Sequence, residues 1–339
     1  MRSSLKKSVV VITGASSGLG RAMALKLAKK GARLVLTARN EKALVELARR
    51  CQNLGAKAIS IRADVTDEAE LRQVADKALK TFGQVDAWIN NAGVLATGIF
   101  EEIPTDVFRK VVETNFYGVV HGSRVVLPVF RAQGHGVLIN VSAVEGKIAL
   151  PYSTAYVASK FAVTGLSQSL RMELKDESNI HVCTVMPASI DTPFFQHAAN
   201  YSGRAIEPVK PVYAVDAAAR DIVGCIERPR AEVFIGAASR WQTAMKRPRK
   251  KIGTQQLRPV PASSTEGNIF VPDRHLVSTR GGWGGRDTRT EKIALGALAA
   301  FVVGVAACRL ASSRANNGGR GRRANAVEQK VREGVIEVA

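Results

Sequence analysis

Two rhythms of apolar residues alternate along the first 240 positions. The first is a short, nearly unbroken aliphatic run: "VVVIT" at 9–13, "RLVLTA" at 33–38, "KAISIRA" at 57–63, "VDAWIN" at 85–90, "GVLINVS" at 136–142, "IHVCTVM" at 180–186 and "AEVFIG" at 231–236. Runs of this length, rich in β-branched residues and without a polar face, predict strands buried on both sides. The second rhythm is longer, with apolar residues at helical spacing. It predicts helices over 19–30, stopped by Gly31, over 40–54, closed by Gly55, and after Thr66, ending at Gly83. It also predicts one long helix over 105–132, a helix carrying Tyr156 and Lys160, and a last one near 215–227. Seven strands alternating with helices define an α/β fold, a doubly wound parallel seven-stranded sheet of the Rossmann type, because each crossover returns over one face with the same hand.

Beyond about residue 240 neither rhythm persists. Residues 241–291 are rich in Pro, Gly, Ser and Arg and are expected to form an extended basic linker. The uncharged run "IALGALAAFVVGVAAC" at 293–308 follows, and a basic tail occupies 311–339. As a helix, that run reaches about 24 Å, extended by Leu310 and by snorkelling of Lys292 and Arg309, so residues 292–310 are expected to span a membrane. Gly296, Ala300 and Gly304 form a ridge of small residues on which two such helices could pack.

Charge refines this division. The 339 residues carry a net +20. Residues 240–339 hold 19 Lys+Arg against 7 Asp+Glu, a net of +12, and the remainder holds 30 against 22, a net of +8. A basic tail suits anionic lipid as well as nucleic acid, and no nucleic-acid-binding pattern accompanies it, which argues against a nucleic-acid partner. The four cysteines have no ligand spacing, so no metal site is expected and a reducing compartment fits.

In a doubly wound sheet the ligand lies beyond the carboxyl ends of the strands, and this is where the chemistry-bearing residues cluster. "TGASSGLG" at 13–20 is a glycine-rich turn between the first strand and its helix, suited to a pyrophosphate at a helix N-terminus. Arg39 ends the second strand where an NAD-selective fold usually presents an acid; a guanidinium there can hold a 2′-phosphate, favouring NADP over NAD. Asp64 ends the third strand and either meets the adenine amino group or braces a turn. Tyr156 and Lys160 are one helical turn apart, so both point into the same space.

"TGASSGLG", Asp64, "NNAG" at 90–93, Asn115, Ser142 and "YVASK" at 156–160, in this order at strand ends, resemble the short-chain dehydrogenase/reductase family over residues 7–240. The resemblance implies a hydride-transferring enzyme, commonly oligomeric, that acts on a small-molecule carbonyl or secondary alcohol. It implies cofactor contacts from Thr13, Gly14, Ser16, Ser17, Gly18, Leu19, Gly20, Arg39, Asp64, Val65, Asn91, Ala92, Gly93, Tyr156, Lys160, Pro187, Ile190 and Thr192. It implies Tyr156 as the proton donor, its pKa lowered by Lys160 together with the cationic nicotinamide of the oxidised cofactor, Ser142 as the donor to the substrate oxygen, and Asn115 as the residue ordering a proton-relay water. Ala188 stands where the family usually has glycine after proline. The stretch 194–211, with Phe194, Phe195, Tyr201 and Ile206, is expected to be a mobile lid over an apolar substrate, and Tyr152 to line the cleft. These expectations describe an NADP-dependent oxidoreductase acting on an apolar carbonyl or secondary alcohol, a lipid being one candidate, with its catalytic domain on the cytoplasmic side of a membrane; the alternative is a catalytically inactive NADP-binding sensor or scaffold at the membrane.

Overall fold

The computed structural model describes residues 5–236 and 256–287. Seven strands form one parallel sheet: β1 (Val9–Thr13), β2 (Arg33–Ala38), β3 (Lys57–Arg62), β4 (Ala87–Asn90), β6 (Gly136–Val141), β7 (Ile180–Pro187) and β10 (Glu232–Ile235). Their spatial order is β10-β7-β6-β4-β1-β2-β3. The chain starts in the middle and winds outward in both directions, so its switch point lies beside β1 and β4, where a crevice opens above the strand ends.

Helices α1 (Gly18–Ala28), α2 (Glu41–Asn53), α3 (Glu68–Phe82), α4 (Thr105–Val112), α5 (Gly118–Gln133), α6 (Thr154–Glu173) and α7 (Val215–Glu227) connect the strands. Each sheet face has its own apolar core. Leu27, Leu44, Leu47 and Ile222 fill one side, and Leu71, Val74, Trp88 and Phe130 the other. Central strands facing two cores must be apolar at every position, which is why β1 reads as an unbroken run. Trp88 is fully buried and donates its indole N–H to Asn90 Oδ1 at 2.8 Å.

The expected long helix over 105–132 is interrupted. Residues Glu113–Tyr117 form a π-turn between α4 and α5, with Asn115 at its centre. A π-turn inserts one residue into the helical ladder without ending the apolar pattern, so spacing alone does not reveal it.

Residues 257–287 are not an extended linker. The short strand β11 (Leu257–Pro261) pairs antiparallel with β9 (Arg204–Ile206), and β8 (Ala199–Tyr201) pairs with β5 (Ala96–Gly98). The stretch expected to be a lid is therefore tied into two small sheets. Residues 280–287 are held as firmly: Asp191 Oδ1 accepts the backbone N–H groups of Gly281 at 3.0 Å and Trp283 at 2.9 Å, and its Oδ2 accepts that of Gly285 at 3.3 Å. Such a segment needs no helical or strand periodicity, because its backbone groups are satisfied by side chains and by the domain it crosses. Among the described residues no helix is long and apolar enough to cross a membrane; the expected span 292–310 and the tail 311–339 lie outside the described residues.

Candidate active site

The glycine turn is built by close contact. Gly14 has φ +64°, and a Cβ at Gly20 would lie 2.3 Å from the Gly14 carbonyl, so neither position accepts a larger residue without displacing the turn. Thr13, expected to touch the cofactor, sits behind the turn: its hydroxyl accepts from Asn91 N at 3.0 Å and Ala92 N at 3.2 Å. Asn91 Nδ2 donates back to the carbonyls of Thr13 and Gly14. These bonds lock the ends of β1 and β4 together. Thr13 and Gly20 thus shape the cleft without lining it.

The cleft itself holds about 1580 Å³ of space, including its solvent-open mouth. One end is formed by Gly14, Ser16, Ser17, Gly18 and Leu19, with Arg39, Asp64 and Val65 beyond them. Its floor is Asn91, Ala92 and Gly93, and its far end is Tyr156, Lys160, Pro187, Ile190 and Thr192. All of these were expected to bind the cofactor. Asp64 also braces the turn, accepting from Thr66 N at 3.0 Å and Thr66 Oγ1 at 2.9 Å, so both of its expected roles are compatible with its position.

Tyr156 and Lys160 face the same space, as helical spacing requires. The Lys160 Nζ lies 5.5 Å from the Tyr156 ring centroid and donates to the Val141 carbonyl at 2.9 Å, at the end of β6. Burial lowers the Lys160 pKa to about 8, opposed by the Glu145 carboxylate. The expected lowering of the Tyr156 pKa depends on an oxidised nicotinamide beside Lys160; in the protein alone the direction is upward. Although part of its ring faces the cleft, burial raises its pKa well above the ordinary value, and Glu145 adds to the rise. Glu145, itself raised by burial, lines the cleft three residues past Ser142 and was not anticipated. A carboxyl in this position was visible in the sequence, but nothing in its spacing marked it.

Ser142 lines the cleft, as expected of a donor to a substrate oxygen. Its buried hydroxyl lies 2.9 Å from the Lys160 carbonyl and 3.0 Å from Thr164 Oγ1, and Thr164 Oγ1 donates to the same carbonyl at 3.0 Å, so the serine is seated against the helix that carries Tyr156 and Lys160. Asn115 is likewise braced. Its amide accepts from Val94 N at 2.8 Å and donates to Val94 O at 2.9 Å and Ser159 Oγ at 3.1 Å, while Ser159 donates to Tyr156 O at 2.7 Å. The π-turn is thereby fastened to the floor loop and to α6. Tyr152 is absent from the cleft wall; it adopts φ +64° and its carbonyl accepts from Gly98 N at 2.9 Å.

The substrate side is aromatic. Tyr156 and Phe194 stand 5.8 Å apart, as do Phe194 and Phe195, and Trp283 lies 6.4 Å from Phe195. Two buried polar groups interrupt this wall: Ser153 donates its hydroxyl to Gln256 Oε1 at 3.3 Å. Gln256 comes from the segment expected to be a linker.

At the other end, the same segment crosses the cleft. Arg39 is not free for a phosphate: its Nη1 donates to the carbonyls of Ile269 at 2.9 Å and Phe270 at 3.2 Å, and its Nη2 to that of Asn268 at 2.5 Å. Asn40 Nδ2 donates to Asp273 O at 2.9 Å, and Gly18 N to Ser278 O at 2.9 Å.

A parallel sheet with a glycine-rich turn at its switch point, and a phenol–ammonium pair at the far end of one cleft, define a nicotinamide-dependent oxidoreductase. Residues 8–201 match the short chain dehydrogenase family model, and the chain belongs to that family. It is 36% identical over 239 residues to the uncharacterized oxidoreductase YxnA of Bacillus subtilis, covering 70% of this chain and 67% of the relative. A crystal structure of a short chain dehydrogenase/reductase from Burkholderia phymatum in complex with NAD superposes with a TM-score of 0.67 at 28% identity, covering 77% of this chain and 99% of that one. The alcohol dehydrogenase of Thermococcus sibiricus, complexed with 5-hydroxy-NADP, gives 0.61 at 25%, covering 72% and 100%.

Proposed function

We propose that the protein reduces an apolar ketone or aldehyde of the lipid class with NADPH, and that Tyr156 gives the proton to the substrate oxygen. The observation that carries this is the convergence of Tyr156 and Lys160 on the cleft whose floor is Asn91–Gly93 and whose other end is the glycine turn. The residues fit a dinucleotide: the turn leaves Gly18 beside Thr192, and a Cβ at Gly93 would sit 3.3 Å from Asn115 Oδ1, tight against the floor of the cleft. The nicotinamide supplies the hydride when bound.

The chain's own groups handle the proton and the orientation. Burial keeps Tyr156 protonated, which suits a proton donor and therefore carbonyl reduction. Lys160 places a positive charge beside the phenolate left behind and is positioned to hold a ribose hydroxyl. Asn115 positions α6 and the floor loop, and Ser142, in the cleft wall, would hydrogen-bond the substrate oxygen. Phe194, Phe195 and Leu95 exclude water and select an apolar substrate, and Ser153 and Gln256 offer it a polar anchor. Arg39 is the residue to which a 2′-phosphate would bind. The uncharged segment 293–308 would tether the enzyme to a membrane with the catalytic domain in the cytoplasm, and α-helical pairing there would assist homo-oligomer formation.

Tyr156→Phe is the deciding test. Turnover across a panel of apolar carbonyl compounds should fall by about 10²–10⁴-fold while NADPH still binds. A fully active variant removes the mechanism, and wild-type protein that binds NADPH but reduces nothing in the panel supports the sensor role instead.

A further inference from the structure

The segment 268–278 meets the cleft at its adenosine end through four independent contacts. Three carbonyls, of Asn268, Ile269 and Phe270, converge on the Arg39 guanidinium. The Asp273 carbonyl takes Asn40 Nδ2, the Leu276 carbonyl lies 3.0 Å from His197 Nε2, and the Ser278 carbonyl takes the Gly18 N–H of the phosphate-binding turn. Pro272, Asp273, Leu276 and Val277 line the same cleft.

We propose that this segment sets the choice between NADP(H) and NAD(H), because it competes with the 2′-phosphate for Arg39. The proposal rests on the reading of the cleft as a dinucleotide site. A guanidinium has five N–H groups in one plane, and the two Nη atoms already point at carbonyl oxygens. A phosphate dianion brought to that plane meets three carbonyl dipoles aimed with their negative ends toward it, and the nearby Asp64 carboxylate. The phosphate and the three carbonyls compete for the same N–H groups. Both dinucleotides bring a pyrophosphate that competes with Ser278 O for Gly18 N, but only NADP(H) also requires 268–270 to leave Arg39, since NAD(H) has a hydroxyl in that place. The apparent affinity for NADP(H) is reduced by the fraction of molecules in which the segment is docked.

Docking is adjustable without touching Arg39 or the catalytic groups. Asp273 Oδ1 accepts from His275 N at 2.7 Å and Leu276 N at 3.1 Å, forming the turn that aims the Leu276 and Ser278 carbonyls at the domain. Asp273→Ala opens that turn and weakens docking.

The test is hydrogen–deuterium exchange of the full-length protein with each cofactor, together with binding titrations. Saturating NADP⁺ should raise exchange of the amides in 268–271, and saturating NAD⁺ should leave those amides as in the free protein. In Asp273→Ala, the dissociation constant for NADP⁺ should fall about tenfold further than that for NAD⁺. Arg39→Leu should raise exchange in the free protein and remove the difference between the two cofactors. Protection of 268–271 by NADP⁺, or an equal change for both cofactors in Asp273→Ala, overturns the proposal while leaving the dinucleotide site intact. Failure of either dinucleotide to bind overturns the cofactor reading, and this proposal with it.

Discussion

Glu145 is the residue on which the behaviour of the catalytic pair turns. It raises the Lys160 pKa against the lowering effect of burial, and it also raises that of Tyr156. Since Lys160 loses its charge as pH rises through about 8, the reductive rate should hold below that pH and decline above it. Glu145→Gln removes the carboxylate that keeps the ammonium protonated, so the alkaline limb of kcat/KM should move to lower pH; an unmoved limb refutes the coupling. Stability should respond in the opposite sense. Between about 8 and the ordinary lysine value of 10.5, the unfolded chain binds a proton at Lys160 that the folded chain does not, so stability rises with pH across that window. Lys160→Met should flatten that rise in urea titrations at pH 8 and pH 10. Ser142 makes a contrasting prediction. Because Thr164 Oγ1 also donates to the Lys160 carbonyl, Ser142→Ala leaves that oxygen partnered and should cost only about 0.5–1.5 kcal/mol of stability, while kcat should fall by about 10²-fold if the hydroxyl steadies the substrate oxygen. A kcat within tenfold of wild type confines Ser142 to seating α6.

Among the elements, the loop at 281–285 wrapped around Asp191 ties the C-terminal segment to the loop after β7. Hydrogen bonds to a charged group contribute roughly 1.5–3 kcal/mol each, but some of these N–H groups can turn to water once released, so Asp191→Ala should cost about 3 kcal/mol in all. For a domain of this size that corresponds to a fall of about 6–12 °C in Tm. Because Thr192 is the next residue and lines the cleft, dinucleotide affinity should fall too; a variant with the wild-type Tm excludes this anchoring role. The sheet and its helices were legible in the sequence because burial on two faces, or on one helical face, imposes a rhythm on side chains. β1, α7 and the turn at Gly83, with φ +81°, follow from that rhythm and from glycine alone. The cleft was legible for a related reason: Gly14, Asn91, Tyr156 and Lys160 stand at strand ends or at helical spacing. What was not legible is whatever depends on backbone groups. The contact from Arg39 to 268–270 uses carbonyls that every residue possesses, and the turn at Ser142 that sends its hydroxyl to Lys160 O leaves no mark on side-chain type. The π-turn at Asn115 changes the hydrogen-bond ladder without changing the apolar pattern.

For the molecule as a whole, the question is what residues 288–339 add to a domain that already contains its cleft and both cores. The described residues fall within one compact unit, Met1–Thr288. Among the described residues, the core side chains and those lining the cleft build a complete domain around the sheet. Removal of 289–339 should therefore leave the Tm within about 2 °C and leave NADP⁺ binding unchanged, while moving the protein from the membrane to the soluble fraction. The mode of attachment is separable by salt. Exposed charges are screened beyond about 8–10 Å at physiological ionic strength, so attachment through the basic tail alone should be released by about 1 M salt. Insertion of the uncharged run 293–308 buries apolar surface that salt does not weaken, and its release should require detergent. Release by salt alone sinks the membrane-spanning reading. Retention in salt with loss in detergent places the apolar substrate and the aromatic wall of Phe194 and Phe195 at the same lipid surface, where a lipid carbonyl could reach Tyr156 with little passage through water.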